Sequence, residues 1–145
     1  MKRTVIGWRE WVALPAFGVA IKAKVDTGAA SASLHAFDLE RITRGGVEMV
    51  RFGIHPRQRS AQGAVTVEAE VVDERQVRNP GGRAETRPVI RTNLRWADIV
   101  WDAEINLTRR DEMGFRMLLG RKALKSRFIV DPGRSFLGGR PGKEK

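Results

Sequence analysis

Lys24-Val25-Asp26-Thr27-Gly28-Ala29 constrains the fold of this chain more than any other stretch. Before it, Val19, Ala20, Ile21, Lys22, Ala23, Lys24 and Val25 alternate, so that Val19, Ile21, Ala23 and Val25 share one face and the two lysines the other. That period of two is the signature of a half-buried strand, which here delivers Asp26 at its end. Asp-Thr-Gly then reads as a tight turn: Gly28 is expected to fold the backbone back at positive φ, Thr27 supplies a hydroxyl, and the turn amides can donate to a carboxylate.

Most of the chain repeats the strand period. Val50, Phe52 and Ile54 alternate against Met49, Arg51 and Gly53, and Val65, Val67, Ala69 and Val71 against Thr66, Glu68, Glu70 and Val72. Extended segments are expected over Trp96 to Trp101 and Ala103 to Leu107, with Asp102 as the turn. Short helix is expected only near Asp38 to Thr43 and Arg121 to Ser126. His55 to Gly63 reads as a loop, and Asn79-Pro80-Gly81-Gly82-Arg83 as a hairpin turn between strands, its tip running to Ala84. Together these predict an all-β closed barrel with one or two short helices.

A chain of 145 residues supports one core, so residues 1–138 read as a single domain and residues 139–145 as a flexible basic tail. With no cysteine, disulfides, thiol catalysis and thiolate metal sites are excluded. The N-terminus lacks the apolar run of a signal peptide and no stretch is long enough to span a bilayer, so a cytoplasmic protein with no membrane partner is expected.

Further along, Met117-Leu118-Leu119-Gly120-Arg121-Lys122-Ala123-Leu124 follows the Asp-Thr-Gly turn in the same order as the Gly-Arg segment and helix behind the catalytic loop of retroviral-type aspartic peptidases. DTGAASASLHA, TRPVI, NLTRRDEMGFRMLLGRKAL and IVDPGRSFLGGRP together resemble the retropepsin-like aspartic peptidase family of small bacterial proteins, commonly labelled ATP-dependent zinc proteases. The resemblance extends over roughly residues 6 to 141. It implies a retropepsin-like (acid protease) barrel, catalysis by Asp26 with Thr27 and Gly28, substrate contact by Ala29 and by a flap tipped with Gly81 and Gly82, and structural support from Gly120 and Arg121. In the retroviral enzymes a further acid after the motif pairs with the arginine. Here Ala30 and Ser31 follow, so Arg121 is expected to find Asp111, Glu112 or a carbonyl instead.

Aspartic chemistry needs two carboxylates sharing a proton. One Asp-Thr-Gly is present, and Val130-Asp131-Pro132-Gly133 has Pro where Thr belongs, so it reads as a turn. The resemblance therefore implies a homodimer, with Asp26 of two chains facing across a twofold axis and Thr27 bonding across it.

His35 and His55, the only histidines, could supply at most half of a usual zinc site, and there is no phosphate-binding G-x-x-x-x-G-K-[ST] loop. No cofactor and no metal are expected, contrary to the family label. Trp8, Trp11, Trp96 and Trp101 read as core or dimer-interface filler.

Lys and Arg number 27 against 17 Asp and Glu, a net charge of +10. A basic cleft would attract acidic peptides. Some members of the resembled family are associated with the ligase that adds glutamates to a ribosomal protein, which implies glutamate-rich peptides as substrates. Two alternatives remain open at this point: a catalytically inactive retropepsin-fold module that binds peptide, and a basic domain that binds RNA or the ribosome. Nucleic acid is the less favoured partner.

Overall fold

The computed structural model describes residues 3–78, 81–109 and 114–141. Eleven strands carry the fold: β1 (Thr4–Leu14), β2 (Val19–Val25), β3 (Ala32–His35), β4 (Phe37–Arg44), β5 (Val47–Ile54), β6 (Val65–Glu70), β7 (Asp73–Arg78), β8 (Ala84–Trp96), β9 (Ile99–Thr108), β10 (Met117–Leu119) and β11 (Phe128–Ser135). A 3-10 turn at Pro15–Phe17 and one short helix, α1 (Arg121–Leu124), interrupt them.

Six strands close into a barrel in the order β1-β2-β10-β3-β9-β8, with β8 returning to β1 where Arg95 pairs with Ala13. Closure removes the open edges that leave strand amides unpaired. β11 lies parallel to β1 and β7 extends the sheet beyond β8, while β4, β5 and β6 form a separate antiparallel sheet. The period of two decides which face goes inside. Ile21, Ala23 and Val25 of β2, Leu94 of β8, and Ile105 and Leu107 of β9 fill the interior, joined by Val50, Phe52 and Ile54 from the small sheet. Each of these side chains larger than Ala23 contributes roughly 1.5–3 kcal/mol through removal from water. Phe17 packs edge-on to Phe52 at 5.9 Å and helps fix the small sheet to the barrel.

One carboxylate is fully buried. Glu10 on β1 accepts hydrogen bonds from the Trp96 indole (2.8 Å) and from the amides of Gly7 (2.6 Å), Leu137 (3.0 Å) and Gly138 (3.2 Å). Four donors offset its desolvation and tie residues 136–138 to the barrel.

Three expectations are corrected. Asp38 to Thr43 is not a helix but the body of β4: a bulge between Phe37 and Glu40, with Asp38 at φ 50°, shifts the alternation so that Leu39 and Ile42 fall three apart. Asp102 is not a turn. It lies within β9 opposite Asn93, on the exposed face, and the reversal is at Ala97-Asp98, between the paired Trp96 and Ile99. Asp131-Pro132-Gly133 is not a turn between elements but a bulge inside β11, where the register against β1 slips between Gly7 and Arg9 and the Gly133 amide donates to the Asp131 carboxylate at 3.0 Å.

Candidate functional site

β2 runs into the Asp-Thr-Gly turn after pairing with β10, whose Leu119 lies beside Val25. The Asp26 amide donates to the Leu119 carbonyl (2.9 Å), and the Ala29 amide to the Asp26 carbonyl (3.2 Å). Within that turn the Gly28 amide donates to Asp26 Oδ1 at 2.8 Å. Gly28 does not adopt positive φ, contrary to expectation. What favours glycine is close approach, because a Cβ there would sit 3.1 Å from Asp26 Oδ1 and press on the carboxylate. The other carboxylate oxygen lies 3.9 Å from Lys24 Nζ, on the polar face of β2. Asp26 is thus held by its own turn yet remains partly exposed.

Gly120 and α1 support this turn from behind. A Cβ on Gly120 would collide with the carbonyls of Ser31 and Ala29, so only glycine lets the backbone of residues 29–31 seat there. The amides of Arg121 and Lys122, at the start of α1, donate to the carbonyls of Ala29 (2.8 Å) and Ala30 (3.0 Å). Arg121 Nη1 donates to the Thr27 carbonyl at 2.9 Å. A carbonyl was among the partners expected for Arg121; Asp111 and Glu112 lie outside the described residues.

The turn sits between two depressions. Ala29, Ala30 and Ser31 line a cleft of about 660 Å³ with Ser33, Arg75, Gln76, Val77, Arg78, Arg87, Asn106, Leu118 and Lys122. Thr27, on the other side, lines a hollow of about 500 Å³ with Arg121, Lys122, Leu124, Phe128 and Val130 among others. Neither contains an acid among its described lining residues, and each carries four cations, Lys122 being shared.

β7 and β8 form the hairpin read from Asn79-Pro80-Gly81-Gly82-Arg83, with Arg78 paired to Ala84. Asn79 and Pro80 lie outside the described residues. Gly82 has φ 85° and its carbonyl accepts from Arg78 Nη1 at 2.8 Å. The structure brings Asp26, Thr27, Gly28, Ala29, Gly120 and Arg121 together. Gly81 and Gly82 form an exposed tip and do not line the cleft, which the middle of β7 covers instead.

Sequence reading missed the polar floor of that cleft. Asn106 on β9 donates to the Ala32 carbonyl (2.9 Å) and accepts from Ser33 Oγ (2.9 Å) and from Arg87 Nη1 (2.9 Å), so three strands meet on one buried amide. Arg87, 2 % exposed, is also paired with Glu85 at 3.1 Å. The alternation hid it: Asn106 falls on the face of β9 that carries Asp102 and Glu104, yet it is buried, and a buried amide requires partners.

His35 and His55 stack at 5.6 Å with ring planes 20° apart, and Phe37 stacks on His55 at 4.0 Å. Parallel imidazoles do not converge on one ion, and no group of three His, Asp or Glu gathers among the described residues. The donor set does not fit the zinc of the family label. Among the described residues no helix is long and apolar enough to cross a membrane.

An all-β six-strand barrel with an Asp-Thr-Gly turn braced by a Leu-Leu-Gly-Arg segment is the retropepsin-like fold. The chain belongs to the RimB-like family, described as retropepsin-like aspartic endopeptidase RimB, whose profile matches residues 5–141. It is 43% identical over 143 residues to a probable alpha-L-glutamate ligase of Desulfotalea psychrophila, covering 98% of this chain and 31% of the relative. A probable alpha-L-glutamate ligase of Shewanella pealeana is 43% identical over 139 residues, covering 95% of this chain and 30% of that protein. The chain therefore spans less than a third of the curated relatives it matches. Among solved structures, a Legionella pneumophila protein of unknown function superposes with a TM-score of 0.78 at 31% identity, covering 94% of this chain and 99% of that one.

Proposed function

We propose that the chain is an aspartic endopeptidase that works as a homodimer on acidic, glutamate-rich peptides. The observation that carries this reading is the Asp26 carboxylate, partly exposed and oriented by the Gly28 amide on a turn fixed by Gly120 and Arg121. One chain offers one such acid, and neither neighbouring depression has another among its described lining residues. A second copy supplies the partner.

In the proposed reaction one Asp26 is ionised and takes a proton from water, whose oxygen attacks the scissile carbonyl carbon. Asp26 of the partner subunit, protonated, donates to the carbonyl oxygen. Collapse of the tetrahedral intermediate breaks the C–N bond as a proton passes to the leaving nitrogen, giving a carboxylic acid and an amine. Gly81 and Gly82 tip the flap, and Ala29 contacts substrate. Arg78 and Lys122 give the cleft a positive potential that favours glutamate side chains, while Arg75 and Arg87 are already paired with carboxylates. The printed name of the longer relatives, probable alpha-L-glutamate ligase, supports glutamate as the residue type concerned.

Sedimentation at micromolar protein tests the assembly. A dimer dissociated by introducing a charge at Thr27, Thr27→Glu, is expected. A strict monomer that still cleaves peptide would overturn the shared dyad.

A further inference from the structure

The barrel carries a second basic cleft, of about 660 Å³, that shares no lining residue with the cleft beside Asp26. It lies on the outer face of β1 and β2 and is closed by the loop after β5 and the segment before β10. Arg9, Lys22, Arg57, Arg59 and Arg140 supply five cations, Trp8, Trp11 and Phe115 supply rings, and no acid lines it among the described residues. We infer that this cleft is an accessory binding site for carboxylate-rich polypeptide.

Two features distinguish it from an ordinary solvated basic surface. First, aromatic rings hold three of its five cations. The Arg9 guanidinium lies 4.7 Å from the Trp8 ring and 5.0 Å from Phe136, while Lys22 and Arg140 lie 5.6 Å and 4.8 Å from Trp11. Among the described residues none of the five cations makes an ion pair. Cation–π contact orients a guanidinium or ammonium without neutralising it.

Second, the loop carrying Arg57 and Arg59 is anchored. Gln58 Nε2 donates to the Gly114 carbonyl (3.0 Å), and the nearly buried Arg116 donates to the carbonyls of Arg57 (3.2 Å) and Ser60 (3.3 Å). Its ordering cost is met before any ligand arrives, which favours affinity.

The same geometry selects peptide over single-stranded nucleic acid. Bases bind by stacking on open aromatic faces. Here Trp11 is engaged by Lys22 and Arg140, and Trp8 by Arg9 and by Phe115, edge-on at 6.1 Å. What the cleft presents outward is cationic heads, which suit flexible carboxylates. The ligand class rests on the proposed function, whereas the site itself does not.

The test uses full-length Asp26→Asn protein, so that peptide stays intact, titrated with fluorescently labelled oligoglutamate while intrinsic tryptophan emission is followed. Trp8 and Trp11 line the cleft, whereas Trp96 and Trp101 are buried elsewhere. Binding should change the emission, and the combined substitution Arg57→Glu, Arg59→Glu and Arg140→Glu should weaken affinity on the order of tenfold or more. With Asp26 restored, those substitutions should leave cleavage of a short acidic peptide unchanged and slow cleavage of a long acidic tail. If the triple variant binds oligoglutamate normally while Arg75→Glu with Arg78→Glu abolishes binding, the accessory site is refuted and the catalytic cleft alone takes the acid. If oligouridylate of equal charge binds more tightly than oligoglutamate and is lost in the triple variant, the site is a nucleic-acid site and the peptide assignment fails.

Discussion

Arg121 Nη1 donates to the Thr27 carbonyl at 2.9 Å, joining α1 to the turn that carries Asp26. Because this bond is exposed, its effect on stability is small, about 1 kcal/mol. Arg121→Ala should thus shift the urea midpoint slightly but reduce peptide cleavage strongly, because it frees the turn. Equal, small effects on both would show that the bond is only structural.

Gly120→Ala should be costlier. The new Cβ meets the carbonyls of Ser31 and Ala29, and backbone has to move to admit it, costing about 1–3 kcal/mol. Gly82→Ala, at a tip where nothing lies within 4 Å, tests backbone strain without a clash. Thermal melts of the two should separate collision from φ preference, with the larger loss at Gly120.

Glu10 provides a test of the C-terminal segment. Glu10→Gln keeps the shape but leaves one oxygen to serve four N–H donors, so about 3 kcal/mol should be lost. Hydrogen exchange at the Leu137 and Gly138 amides should accelerate more than exchange in β9. Uniform acceleration would show global destabilisation instead of local release.

Acid should loosen the base of the β7–β8 hairpin. Arg41 on β4 pairs with Glu74 on β7 through both guanidinium nitrogens, one bond being 2.9 Å, and with Glu48 at 2.8 Å. The Arg41 hydrogen bond holds the Glu74 carboxyl below its ordinary value of 4.5, and Arg91 and then Arg75 lower Glu104 in the same way. A lowered folded-state value means that the ionised form is favoured in the fold. The stabilisation is therefore complete above about 4.5 and lost as pH falls through the depressed values. The pairs are exposed, so the contribution is modest and screened by salt. Glu74→Gln should flatten the fall in stability below pH 4.5 at low salt, and added salt should narrow the difference. An unchanged acid limb would remove this pair from the account.

How much could be read from the sequence depended on whether local pattern and tertiary register agreed. Val19 to Val25 alternates, pairs on both sides and ends at Asp26, so strand and turn were legible together. Around Asp38 a bulge broke the alternation and imitated helical spacing. At Asp102 an outward acid imitated a turn, while the true reversal at Ala97-Asp98 lacks the usual glycine. The Asp26 turn was visible because its chemistry is contiguous. The cleft floor was not, because Arg87, Asn106 and Ser33 come from three strands far apart in sequence that only sheet pairing sets side by side. The accessory cleft was hidden for the same reason: its cations and rings are scattered from Trp8 to Arg140.

The most direct measurement is the initial rate of cleavage of a glutamate-rich peptide by the wild-type chain and by Asp26→Asn, with and without EDTA, after sedimentation has shown equal assembly. The account predicts that Asp26→Asn lowers the rate by a factor of about a thousand or more while fold and assembly persist, and that EDTA has no effect. Full activity in Asp26→Asn, or its loss on chelation in the wild type, would contradict the aspartic mechanism.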